Sequence, residues 1–89
     1  MNKILLIDDE ESIRKLLTAL FVKKGYDVIS AQNGSEGVKI YKEQEPDLII
    51  TDLIMPEKEG LETIREIRGI NQEVKIIAMS GGGVGQPAM

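Results

Sequence analysis

Three carboxylates and their spacing carry the first chemical argument. Asp8 and Asp9 follow directly on the apolar run Ile4-Leu5-Leu6-Ile7, and Asp52 follows directly on Leu48-Ile49-Ile50-Thr51. Short, uninterrupted apolar runs read as strands of a parallel sheet, buried on both faces. The three acids then share one rim, outside the carboxyl ends of the strands, where open α/β sheets bind ligands. Carboxylates gathered there repel one another unless a cation sits among them. Hard oxygen donors with room for water suit magnesium. The expectation is a small α/β domain with an acidic, divalent-metal pocket.

Composition narrows the other chemistries. The chain has 89 residues, enough for one domain, with 42% apolar and 29% charged residues. It contains no cysteine, which removes disulfides, thiolate nucleophiles and cysteine metal sites. It contains no histidine, which removes histidine bases, histidine zinc ligands and a phosphohistidine donor. A net charge of -4 argues against direct contact with nucleic acid. No segment is long and apolar enough to span a membrane. The first residues, broken by Asp8 after a short apolar run, do not read as a signal peptide, so a cytoplasmic protein is expected.

The elements that must position the acids alternate strand and helix, the pattern of βαβ units with right-handed crossovers. A strand is expected over 3–7. Ile13, Leu16, Leu17, Leu20 and Phe21 recur at helical spacing and predict an amphipathic helix over 11–24, with this stripe in the core. Gly25, after Lys23 and Lys24, is its stop. A second strand is expected from Tyr26 to Ala31. A second helix opens at Gly34-Ser35, presents Val38 and Tyr41, and ends near Glu45, before Pro46. Asp47 to Thr51 is the third strand. A loop from Leu53 to Glu59 leads to a third helix carrying Leu61, Ile64 and Ile67. Val74 to Met79 is the fourth strand. Residues 1–80 form the domain, and the glycine-rich stretch 81–89 is expected to be irregular.

Taken together these motifs resemble a bacterial two-component response-regulator receiver domain. The match runs through Lys3-Ile4-Leu5-Leu6-Ile7-Asp8-Asp9-Glu10, Asp47-Leu48-Ile49-Ile50-Thr51-Asp52-Leu53-Ile54-Met55-Pro56, Gly60, and Ile76-Ile77-Ala78-Met79-Ser80. The resemblance implies a flavodoxin-like parallel sheet of order 2-1-3-4 with flanking helices, here without the family's fifth strand and last two helices. Receivers are themselves standard instances of the rim rule, so that agreement is not a separate derivation. The resemblance also implies that Asp52 is a phosphoacceptor, a carboxylate nucleophile charged by a histidine kinase or phosphotransfer protein. It implies that Asp8, Asp9, Asp52 and the backbone carbonyl of Ile54 hold Mg2+, and that the Ser80 hydroxyl bonds the phosphoryl group. Met55-Pro56 and Gly60 would shape the adjoining loop, Gly60 through a turn conformation. Such a domain is not a turnover enzyme beyond its own phosphorylation and dephosphorylation.

Each residue also has an ordinary reading. Asp9 alone is a helix cap, Asp8 a surface acid, Asp52 a strand-end acid, and Ser80 turn chemistry. Met55 and Met79 read as packing and Lys58 as a solvated lysine. The family's lysine on its fifth strand has no match in this chain, so the acids are expected to lean more on magnesium. The fourth strand is expected to be an apolar sheet edge of Val74, Ile76, Ile77 and Met79, and a homodimer or higher assembly is expected through it. A receiver-like scaffold that only self-assembles is the competing reading. An aspartate-nucleophile phosphohydrolase would need a second Asp two residues after Asp52, where this chain has Ile54.

Overall fold

The computed structural model describes residues 2–53 and 60–79. Its elements run β1 (Lys3–Ile7), α1 (Glu11–Lys23), β2 (Asp27–Ala31), α2 (Gly34–Gln44), β3 (Leu48–Asp52), α3 (Gly60–Ile70) and β4 (Lys75–Met79). The strands form one parallel sheet in the order β2-β1-β3-β4. This is the flavodoxin-like arrangement that the motifs imply. The expected tail at 81–89 and the boundary at residue 80 lie outside the described residues.

β1 and β3 are the central strands, and their apolar runs are buried on both sides because helices cover both faces. Strand alternation divides the core in two. Leu5, Ile7 and Ile49 point to one face, where they pack with Val38 and Tyr41 of α2 and Ile67 of α3. Ile4, Leu6 and Ile50 point to the other, where Leu17 and Phe21 of α1 meet them.

α1 departs from the expectation. None of its residues is fully buried, and Leu16 and Leu20 are 65% and 45% exposed. The reason is its seat. Leu17 and Phe21 face the sheet, while Arg14, Thr18 and Val22 line a groove with Ser30 of β2. Leu16 and Leu20 therefore fall on the opposite flank, which no described residue covers. α3 departs similarly: Gly60, Thr63 and Ile67 form its buried row, Ile64 is half-buried, and Leu61 is exposed.

Local chemistry fixes the helix ends. Tyr26 N–H donates to Phe21 O at 3.1 Å and Gly25 N–H to Val22 O at 3.0 Å, the paired bonds of a Schellman motif. Gly25 supplies the positive φ of 97° that this stop requires. The rings of Phe21 and Tyr26 meet edge to face at 6.0 Å, the apolar contact that accompanies the motif. Tyr26 belongs to this cap, so β2 begins one residue later than expected. At α2, Asn33 accepts from Glu36 N–H at 2.8 Å, and the Glu36 carboxylate accepts from Gln32 N–H at 2.7 Å. This is a near relative of the capping box.

Candidate metal and carboxylate site

The parallel register brings the acids together. Ile7 pairs with Thr51 across β1 and β3, so Asp8 and Asp52 are the next step of the same ladder. Asp8 N–H donates to Ala31 O at 3.1 Å, and Leu53 N–H donates to Met79 O at 2.8 Å. Pairing thus continues to the carboxyl rim on both outer sides, and Asp52 is the last residue of β3 rather than the first beyond it.

Asp8, Asp9 and Asp52 each present a carboxylate oxygen, and the three oxygens lie within 4.8 Å of one another. Asp8 and Asp52 are nearly enclosed, at 3% and 6% exposure, while Asp9 faces solvent. Burial pushes the Asp8 carboxyl above the usual carboxylate range, and the charges of Asp52, Asp9 and Glu10 push it further. The Glu10 N–H opposes this by donating to Asp8 Oδ1 at 2.9 Å. Repelling, hard, oxygen-only donors, two of them shielded from water, are the chemistry that a small divalent cation such as magnesium satisfies.

Of the remaining candidates, Ile54 and Ser80 lie outside the described residues, as do Met55, Pro56 and Lys58. Gly60 is described, and its role differs from the expected turn conformation, for its φ is not positive. A β-carbon there would run into the Asp52 carbonyl oxygen and stand 2.6 Å from Leu53 Cα. Gly60 thus lets the start of α3 press against the backbone of the Asp52 turn, and its N–H donates to Leu53 O at 3.0 Å. Thr51 is fully buried, and its hydroxyl donates to the same Asp52 carbonyl at 3.1 Å.

Arg14, which no sequence motif singles out, belongs to the same turn. Its guanidinium Nη1 donates to Asp8 O at 2.7 Å. On a helical wheel Arg14 looks like one more solvated cation, and only its place one turn into α1, just after the acids, hints at more.

Comparison with known proteins follows the same lines. The family model described as the response regulator receiver domain matches residues 4–87. The chemotaxis protein CheY of Bacillus subtilis is 37% identical over 89 residues, covering 99% of this chain and 72% of that protein. Response regulator protein TrrA of Thermotoga maritima, solved in complex with Mg2+-BeF, superposes with a TM-score of 0.85 at 36% identity, covering 97% of this chain and 76% of that one. A chain from the crystal structure of histidine kinase ThkA in complex with TrrA superposes with a TM-score of 0.82 at 41% identity, covering 88% of this chain and 67% of that one. Across these and a further solved receiver domain, the chain spans 64% to 76% of the relative's own length.

Proposed function

This chain belongs to the response-regulator receiver domain family, and from that premise we propose that Asp52 is its phosphoacceptor and that Asp8 and Asp9 complete a magnesium site beside it. The supporting observation is the convergence of the three carboxylates at one rim of the sheet. The solved complex of a 36% identical relative with Mg2+-BeF lends the reading its cofactor, and the solved kinase complex lends it its donor.

A carboxylate oxygen of Asp52 attacks the phosphorus of a phosphohistidine on a sensor kinase or phosphotransfer protein. An O–P bond forms, the P–N bond breaks, and the imidazole leaves with a proton, giving an aspartyl phosphate. Asp8, Asp9, Asp52 and the carbonyl of Ile54 would hold magnesium, whose positive charge would let one anion approach another. The chain's own residues do the rest. Seating Asp52 at the end of a central strand fixes the nucleophile, because β3 is paired on both sides. The Glu10 N–H orients Asp8 through Oδ1. The Ser80 hydroxyl donates to a phosphoryl oxygen. In this reading residues 1–80 carry the site, the protein works in the cytoplasm, and it is a relay component rather than a turnover enzyme.

The test is a titration with Mg2+ and then beryllofluoride, followed by amide shifts and thermal midpoint. Chemical-shift changes centred on Asp8, Asp9 and Asp52, with a raised midpoint, are expected. No change in either at millimolar concentrations would end the reading.

A proposal about assembly rests on a separate observation. β4 is the outermost strand among the described residues, and Ile77 on it is 51% exposed. Of the other residues expected on that edge, Val74 is buried just before β4, and Ile76 and Met79 lie on β4 with their side chains partly buried against the core. The exposed flank Leu16 and Leu20 adds further apolar surface. Two copies would pair through β4. Sedimentation is expected to show a dimer that Ile77→Lys weakens, and a wild-type monomer at high concentration would contradict it.

A further inference from the structure

We propose that Arg14 is a positioning residue for the carboxylate cluster, acting through the main chain of Asp8. The inference rests on the reading of the cluster as a magnesium site.

The turn from β1 into α1 has to deliver two adjacent aspartates to one point, and three hydrogen bonds hold it. Asp8 N–H is tied to Ala31 O on β2. Asp8 Oδ1 accepts from Glu10 N–H. Asp8 O accepts from the guanidinium of Arg14 at 2.7 Å, a partly buried bond across six positions of sequence. Arg14 N–H in turn donates to Glu10 O at 3.1 Å. The guanidinium thus reaches back from the first turn of α1 and closes a loop around Glu10 onto the carbonyl of the residue that must aim. The side chain of Glu10, at the N-cap position, makes no capping bond. The turn is therefore held by Asp8 and Arg14 and not by an ordinary cap.

The bond goes to a main-chain oxygen, so it fixes the turn instead of neutralising a carboxylate. A guanidinium suits this task. It is planar, permanently charged, and offers donors in a rigid fork, whereas an ammonium is a mobile point donor. Groups that orient metal ligands without touching the metal commonly change metal affinity by about 10- to 100-fold when removed. Small misplacements of the ligands, on the order of 0.5 Å, are enough to matter.

Arg68 provides an internal control. Its guanidinium also clamps turn carbonyls, donating to Gln72 O at 3.0 Å and to Val74 O, but at the opposite rim of the sheet. The experiment compares wild type, Arg14→Gln, Arg14→Lys and Arg68→Gln in Mg2+ titrations read by amide shifts, with thermal midpoints measured without metal. Arg14→Gln is expected to raise the half-saturating Mg2+ concentration by about tenfold. Arg14→Lys should recover part of that loss. Arg68→Gln should lower the midpoint and leave half-saturation unchanged. Half-saturation within about twofold of wild type in Arg14→Gln, or an equal rise in Arg68→Gln, would overturn the proposal. If Arg14→Gln does not fold, Arg14→Lys decides: raised half-saturation supports the role and an unchanged value overturns it. A wild type that does not respond to Mg2+ would instead bring down the metal reading itself.

Discussion

At the scale of single residues, the site is defined by what its acids cost when no cation is bound. Asp8 is held nearly out of water, and burial, followed by the charges of Asp52 and Asp9, raises its pKa in the folded state. A carboxyl with a raised folded-state pKa favours folding most when protonated. That contribution is whole below the ordinary carboxylate range and is lost as pH rises through the raised value. Above that raised value the ionised Asp8 is therefore a local burden on the metal-free fold. Asp8→Asn is expected to raise the thermal midpoint at pH 7 in the absence of divalent ions and to diminish the further gain that Mg2+ gives wild type. Melting curves of both proteins with and without Mg2+ check this, and a lower metal-free midpoint for Asp8→Asn would refute it. Gly60 supports a second residue-scale prediction. Its β-carbon position is blocked by backbone atoms, the Asp52 carbonyl group and Leu53 Cα, which yield less than side chains do. Gly60→Ala should cost about 1–3 kcal/mol, the usual range for overpacking. Denaturant unfolding measures it, and a variant as stable as wild type would contradict the close approach.

At the scale of elements, helix ends and buried rows decide stability. Asn33 caps α2 by accepting from Glu36 N–H, and Asn33→Ala should lose about 1 kcal/mol in denaturant unfolding. Ile67 is fully buried between α3 and the sheet, and Ile67→Ala should cost about 2–5 kcal/mol. The strands were legible in the sequence because unbroken runs such as Ile4 to Ile7 have only one comfortable place in a small α/β domain. The stop at Gly25 was legible because few residues accept a positive φ. The site acids were legible because they close those runs. Other features depend on tertiary placement. Periodicity put Leu16 and Leu20 on the apolar stripe of α1, but a helix seated over β1 and β2 turns only Leu17 and Phe21 fully to the sheet. Thr63 took the buried position that Leu61 seemed to claim, because Gly60 sets the rotation of α3 through its close approach to β3. The roles of Arg14 and Gly60 rest on through-space contacts to main-chain atoms, which no pattern along the chain encodes.

At the scale of the whole molecule, the two faces of the sheet are unequally covered. α2 and α3 close one face and α1 alone lies on the other among the described residues. The central strands are enclosed by both, so amide exchange should be slowest in β1 and β3 and faster in α1, which contributes no fully buried residue. Exchange as slow in α1 as in β1 would mean that another surface covers it, as assembly would. This rigid centre is what holds Asp8 and Asp52 in adjacent register while Asp9 remains open to solvent. The central claim is that this rim makes Asp52 a phosphoacceptor. Intact-mass analysis after incubation with Mg2+ and acetyl phosphate, with Asp52→Asn alongside, tests it most directly. One phosphoryl adduct on the wild type, absent from Asp52→Asn and absent when Mg2+ is chelated, is predicted. A folded wild type that gains no adduct, or an adduct that persists in Asp52→Asn, would contradict it.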